Sequence, residues 1–248
     1  MPSTLSSIAH RHLTHRNFRR IDECRTLIRW LDAQRGERIL DIGCGDGFYD
    51  HVIAGSGARV TGIDVNRRRL AVAQRRYASD RTEFLFMDAE RMEFDDESFD
   101  KVVSFCVIEH FQHDQRVLEH AHRVLKPGGL LFLSADSLSN PEITEGERDA
   151  HRRRYAVNTF YTVDILGTKL DEAGFSLAAT KYILTTPLTL MLTRFSWRLD
   201  DLPEPLVALK GLGYFALLTA GRVASFVSER LAGRRDSGLT LLARARKR

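Results

Sequence analysis

The densest chemistry in this 248-residue chain lies in Ile39-Leu40-Asp41-Ile42-Gly43-Cys44-Gly45-Asp46-Gly47, where a β-rich run enters three alternate glycines. Glycines spaced so closely let the backbone turn sharply and let a ligand approach with no Cβ in the way. The spacing is Gly-x-Gly-x-Gly, not the Gly-x-Gly-x-x-Gly of dinucleotide folds. Asp64 closes a second apolar run, about twenty residues on, where a carboxylate can accept both hydroxyls of a ribose. Met87-Asp88-Ala89 closes a third, and a carboxylate there can accept from an adenine amino group. Open α/β sheets bind ligands at the carboxyl ends of their strands, where these three acids converge. A second group follows a fourth apolar run: Glu109, His110 and His113, in Val107-Ile108-Glu109-His110-Phe111-Gln112-His113. They are candidate bases, histidine because it exchanges a proton near neutral pH.

The elements that must position these groups are read from periodicity. Short apolar runs alternate with helical patterns, the signature of a parallel sheet covered by helices. Strands are expected over Arg38–Ile42, Arg59–Val65, Glu83–Met87, Phe99–Phe105, Leu130–Ser134 and Phe175–Leu184, with a last one over Leu239–Arg244. Helices are expected over Ile21–Ala33, Phe48–Ala54, Asp114–Leu125 and Thr162–Ala173. Asn66 reads as an N-cap, Lys126-Pro127-Gly128-Gly129 as a stop and Gly174 as a C-cap. Ala135 to Thr159 is polar and reads as a long functional loop or short lid.

Composition narrows the class. With 43% hydrophobic and 28% charged residues the chain is an ordinary globular one. The formal charge of +4 is spread over several short basic clusters, which argues against a nucleic-acid track. Cys24, Cys44 and Cys106 are odd in number and lack metal-ligand spacing, so a reduced, cytoplasmic setting and no metal are expected. The first residues carry His and Arg where a secretion signal would be apolar, and no apolar run is long enough to span a bilayer.

The ordered set Ile39–Gly47, Gly62-Ile63-Asp64-Val65, Met87-Asp88-Ala89-Glu90, Phe99-Asp100-Lys101-Val102-Val103-Ser104 and Leu125-Lys126-Pro127-Gly128-Gly129-Leu130 resembles class I S-adenosylmethionine-dependent methyltransferases. Within that class it is similar to the small-molecule group that includes the ubiquinone and menaquinone methyltransferases. The resemblance implies a Rossmann-like three-layer α/β fold, with a mostly parallel seven-stranded sheet and an antiparallel last strand. It also implies a cofactor site: Gly43, Cys44, Gly45 and Gly47 under the methionine, Asp41 fixing that loop and the amino group, and Asp64 with Val65 at the ribose. Asp88 and Ala89 would meet the adenine, and Phe105 and Cys106 would line the pocket. Some quinone-pathway relatives carry Glu-x-x-Glu-His after the fourth strand; here the first position is Cys106. The segment before the next helix covers the acceptor in related enzymes, which makes His151, Tyr155 and Tyr161 candidate acceptor contacts. Arg152, Arg153 and Arg154 either bind an anionic substrate or form a solvated helix turn.

The acceptor implied is a small or lipid-like molecule, not nucleic acid: no Asn/Asp-Pro-Pro-aromatic motif follows the fourth strand. O-methylation of a hydroxyl is the leading expectation. C-methylation of a quinol precursor and a non-catalytic cofactor-binding partner are the alternatives. Four segments are expected: a helical start (1–35), the cofactor-binding core (36–186), an apolar helical insertion (187–236), and a last strand with a basic tail (237–248). The insertion is apolar over more than half of a helix, as Leu212, Phe215 and Phe226 illustrate. It therefore reads as a lid, a peripheral membrane contact or a homodimer surface.

Overall fold

A computed structural model of the chain describes residues 18–203, 206–233 and 235–248; the basic stretch His10 to Arg16 lies outside them. In chain order the elements are α1 (Phe18–Leu31), β1 (Arg38–Ile42), α2 (Phe48–Ala54), β2 (Arg59–Asp64), α3 (Arg67–Tyr77), β3 (Thr82–Phe86) and β4 (Phe99–Phe105). There follow α4 (Asp114–Val124), β5 (Leu125–Asp136), α5 (Glu145–Tyr155), α6 (Val163–Glu172) and β6 (Phe175–Ile183). The chain ends on α7 (Pro187–Asp200), α8 (Val207–Ala216), α9 (Arg222–Ala232) and β7 (Thr240–Lys247). The sheet has the order β3-β2-β1-β4-β5-β7-β6. Strands β1 to β5 pair in parallel, and β7 enters antiparallel between β5 and β6. This is the expected three-layer architecture.

Alternation along each strand decides which layer it feeds. Leu40, Ile42, Val102, Leu131 and Leu133 pack with Val117, Leu118 and Ala121 of α4 and with Leu166 and Leu170 of α6. Their neighbours Ile39, Val103, Phe132 and Leu242 face the other side, against Cys24, Leu27 and Leu31 of α1 and Leu190 and Leu199 of α7. A sheet buried on both faces needs such near-continuous apolar strands. Capping is local: Asn66 accepts from the Arg69 N–H at 3.2 Å, and Gly174 leaves α6 at φ +87.

Three segments depart from expectation. Strand β5 begins at Leu125, not Leu130, because the Lys126–Gly129 turn is an irregularity in its pairing with β4, which resumes at Lys101↔Leu130. The polar stretch expected as a loop contains α5, opened by a capping box in which Thr144 and Glu147 bond reciprocally. The 187–236 stretch is helical, as expected. A π-turn over Leu217–Gly221 joins α8 to α9, and the inner face contributes Tyr214 and Leu217 to the core layer of α1. Among the described residues no helix is long and apolar enough to cross a membrane.

Candidate functional site

The carboxyl ends of β1, β2 and β4 open onto a cavity of about 770 Å³, lined from the glycine loop by Asp41, Gly43, Cys44 and Asp46. Gly43, Gly45 and Gly47 all hold positive φ (78, 60 and 78°), the left-handed backbone that tightens the turn from β1 into α2. The loop is tied to β2: Asp64 Oδ2 accepts the Gly45 N–H at 2.8 Å, and Oδ1 accepts that of Asn66 at 2.6 Å. Each carboxylate oxygen retains a second lone pair toward the cavity. Asp64 and Val65 line one wall, Ala89 stands beside them, and Phe105 and Cys106 line the wall at the end of β4. Cys106 has φ +55, a conformation costly for a non-glycine residue, at the point where β4 turns into the site.

Asp41 and Asp50 are fully buried beneath the loop. Burial, then the charge of Asp50, raises the Asp41 carboxyl well above the usual range; burial raises that of Asp50 to about 7. Two carboxyls so placed hold a proton between them at neutral pH. Asp41 is among the cavity's lining residues, with its Oδ1 buried beneath the surface. Burial and the two acids likewise push the Cys44 thiol up, so it stays protonated.

A smaller pocket of about 160 Å³ adjoins the first through three shared lining residues, Arg20, Cys106 and His110. His110 is exposed, with Nδ1 3.2 Å from the Ala156 carbonyl oxygen. A carbonyl only accepts, so Nδ1 carries the hydrogen and Nε2 of the neutral ring is an acceptor. His151, buried on α5, lies with Nε2 2.6 Å from Asp136 Oδ2, and its Nδ1 has no partner. Burial alone would raise the Asp136 carboxyl, but the bond and charge of His151 hold it below the usual range. The His151 ring sits 4.6 Å from Tyr155, which also lines this pocket, and 5.6 Å from Trp197 of α7, which packs against the ring outside the lining. Sγ of Cys106 and carboxylate oxygens of Glu109 and Asp136 lie within 4.8 Å of one another. That spacing suits a cation, although the guanidinium of Arg20 already supplies positive charge there.

The other expected site residues divide: Glu109 and Tyr155 are among the lining of the smaller pocket, and the rest stand outside the cavities. Glu109 is fully buried; its Oε1 accepts from Asp136 N at 3.3 Å, and burial with the Asp136 charge raises its pKa to about 8. A carboxyl that is protonated at neutral pH is a poor base there. His113 is exposed at the start of α4, outside both cavities, its N–H donating to Glu90. Tyr161 is a core residue whose hydroxyl donates to Asp114, itself paired with Lys169 at 2.8 Å, so it is no acceptor contact. Tyr155 lines the smaller pocket, bonded to Asp200 at 3.3 Å. Asp88 is exposed beyond the lining, where it caps the turn at Ala89 by accepting from Glu90 N. Gly45 and Gly47 are not themselves lining residues: a Cβ on Gly45 would meet the guanidinium of Arg69, which does line the cavity, whereas one on Gly47 would meet the Phe84 ring at 2.7 Å. Arg152, Arg153 and Arg154 are exposed, Arg152 pairing with Asp149 and Arg154 with Asp201.

Other cavity residues escaped the sequence reading. Arg20 of α1 and Tyr49, stacked on Phe105 at 4.9 Å, line the cavity. Arg68 and Arg69 do too, whereas the adjacent Arg67 lies over Phe86. The aromatic pair Phe48-Tyr49 directly after the glycines was the one available signal.

Residues 40–133 match a family model described as a methyltransferase domain. Similar chains include a demethylmenaquinone methyltransferase of Clavibacter sepedonicus, 40% identical over 99 residues that make up 40% of this chain and 40% of that one. A ubiquinone biosynthesis O-methyltransferase of Pseudomonas syringae pv. tomato is 36% identical over 113 residues, 43% of this chain and 49% of that one. The chain thus spans less than half the length of these two relatives. Among solved structures the cyclase SpnF superposes with a TM-score of 0.65 at 22% identity, over 90% of this chain and 81% of that one, a likeness of fold.

Proposed function

On the premise that residues 40–133 form an S-adenosylmethionine-dependent methyltransferase domain, we propose that the chain methylates a hydroxyl of a small or lipid-like acceptor. The observation that carries this reading is the meeting of two cavities at His110. The larger has the room and the polar groups for the cofactor: a glycine turn without Cβ atoms, Asp64 on the ribose side, and Asp41 on the lining beneath the turn. Bound there, S-adenosylmethionine supplies a methyl group on a positively charged sulfur, open to in-line displacement.

The chain's own residues then bind, orient and remove a proton. The smaller pocket, lined by His151 and Tyr155, takes the acceptor. Asp136 fixes the His151 ring, which leaves Nδ1 to orient the acceptor's polar group. His110, its Nδ1 hydrogen committed to Ala156, takes the hydroxyl proton at Nε2. Holding the two reactants face to face supplies most of the rate.

The test uses labelled S-adenosylmethionine with a panel of catechols, quinols and lipid-linked phenols. His110→Gln should lower turnover by about 10²–10⁴ and leave cofactor affinity unchanged. Turnover that survives this change would remove the base, and would favour methylation at carbon of a quinol precursor. Cofactor binding with no S-adenosylhomocysteine released from any acceptor would favour a non-catalytic partner.

A further inference from the structure

The insertion's inner face is accounted for by the core; its outer face is not. Along the rod formed by α8, the π-turn and α9, Leu212, Phe215, Val223, Phe226, Val227 and Leu231 are each 47 to 83% exposed. Their spacing of three, four and eight residues puts them on one side, opposite the buried Tyr214, Leu217 and Ser225. On α7, packed alongside, Met191 and Phe195 are also exposed. An unbroken stripe of this kind is uncommon on a surface that meets only water.

The charges on the rod are one-sided. Its cations are Lys210, Arg222 and Arg230, and just beyond the helix end Arg235 and the acid Asp236 are both exposed. The one acid within the rod, Glu229, is turned inward. One Glu229 oxygen accepts from the N–H groups of Thr185 (2.6 Å) and Thr186 (3.2 Å), and both are engaged by the hydroxyls of Thr185 and Thr189. The carboxylate thus anchors the start of α7, and no acid of the rod opposes an anionic partner on the outer side. A helix with an apolar stripe and only cations beside it suits the boundary between lipid headgroups and acyl chains. A second copy of the chain would instead set these cations against one another.

We propose that the outer face of α8–α9 docks on an anionic membrane surface, with its apolar stripe in the headgroup boundary and Arg230 and Arg235 among the phosphates. The proposal stands on this face alone and does not depend on which acceptor is methylated. The test is sedimentation of the full chain with vesicles of phosphatidylcholine, with or without phosphatidylglycerol, together with its mass in solution by light scattering. The chain should bind the phosphatidylglycerol vesicles at least about tenfold more tightly than the neutral ones, and lose that preference in high salt. Phe215→Ser with Phe226→Ser should weaken binding at least about tenfold at an unchanged melting temperature. Arg230→Gln with Arg235→Gln should narrow the difference between the two lipids. The proposal fails if the wild-type chain stays in the supernatant with both vesicles, or binds both equally. It also fails if the chain is a dimer that the Phe215→Ser, Phe226→Ser variant splits, since a second copy then covers the face.

Discussion

Glu109 and His110 are neighbours in the chain, yet their surroundings assign them opposite chemistry. Glu109 is sealed beside Cys106 and Asp136 and holds its proton to about pH 8, while His110 reaches both cavities with an accepting nitrogen. The buried acid has a consequence for stability. Its folded pKa lies above the ordinary carboxylate value of about 4.3, so the folded chain binds the proton more tightly than the unfolded one. The stabilisation linked to that proton is full below about pH 4.3 and drains away as pH rises toward 8. Glu109→Gln, neutral throughout, lacks that dependence. The melting temperature of the wild type relative to the variant should fall by a few degrees between about pH 5 and 8.5; parallel melting across that range would contradict the assignment. The types Asp64, Asp41 and His110 were legible in the sequence because their spacing follows strand ends. Burial was not, which is why Glu109 and Tyr161 read as reactive, and why Arg20, distant in the chain, went unread.

The glycine loop separates two duties that its regular spacing hides. A Cβ on Gly45 would press only on the flexible guanidinium of Arg69, on the cavity side. One on Gly47 would meet the Phe84 ring at 2.7 Å and the Ala73 side chain at 2.9 Å, both packed between α3 and β3. Gly47→Ala should therefore lose about 1–3 kcal/mol of stability from overpacking. Gly45→Ala should cost less stability and act chiefly on cofactor affinity. Denaturant melts and calorimetry on the two variants check this, and a reversed order would refute the division. Strand and helix positions were readable within a few residues, since apolar alternation and caps such as Asn66 are local signals. The start of β5 was not, because a Pro-Gly-Gly turn reads as a stop whether or not a bulged strand carries through it. Nor was α5: its charged sequence hid a helix that its capping box, Thr144 to Glu147, announces.

Taken entire, the chain is a seven-stranded sheet covered by helices on both faces, with one added layer. The insertion packs Trp197 against His151, contributes Tyr214 and Leu217 to the core, and turns a cationic, apolar face outward. The sequence reading saw that 187–236 was too apolar for a lone surface helix. It could not divide the stripe into inner and outer faces, because that division depends on where α7 and α1 sit. The account rests above all on the larger cavity being the cofactor site. Titration calorimetry of the full chain with S-adenosylmethionine and S-adenosylhomocysteine, in the wild type and in Asp64→Ala, tests this most directly. The wild type should bind one cofactor per chain, and Asp64→Ala should bind at least about tenfold more weakly, about 1.4 kcal/mol, as the ribose loses a charged acceptor. No heat of binding in the wild type, or equal affinity in the folded variant, would contradict it.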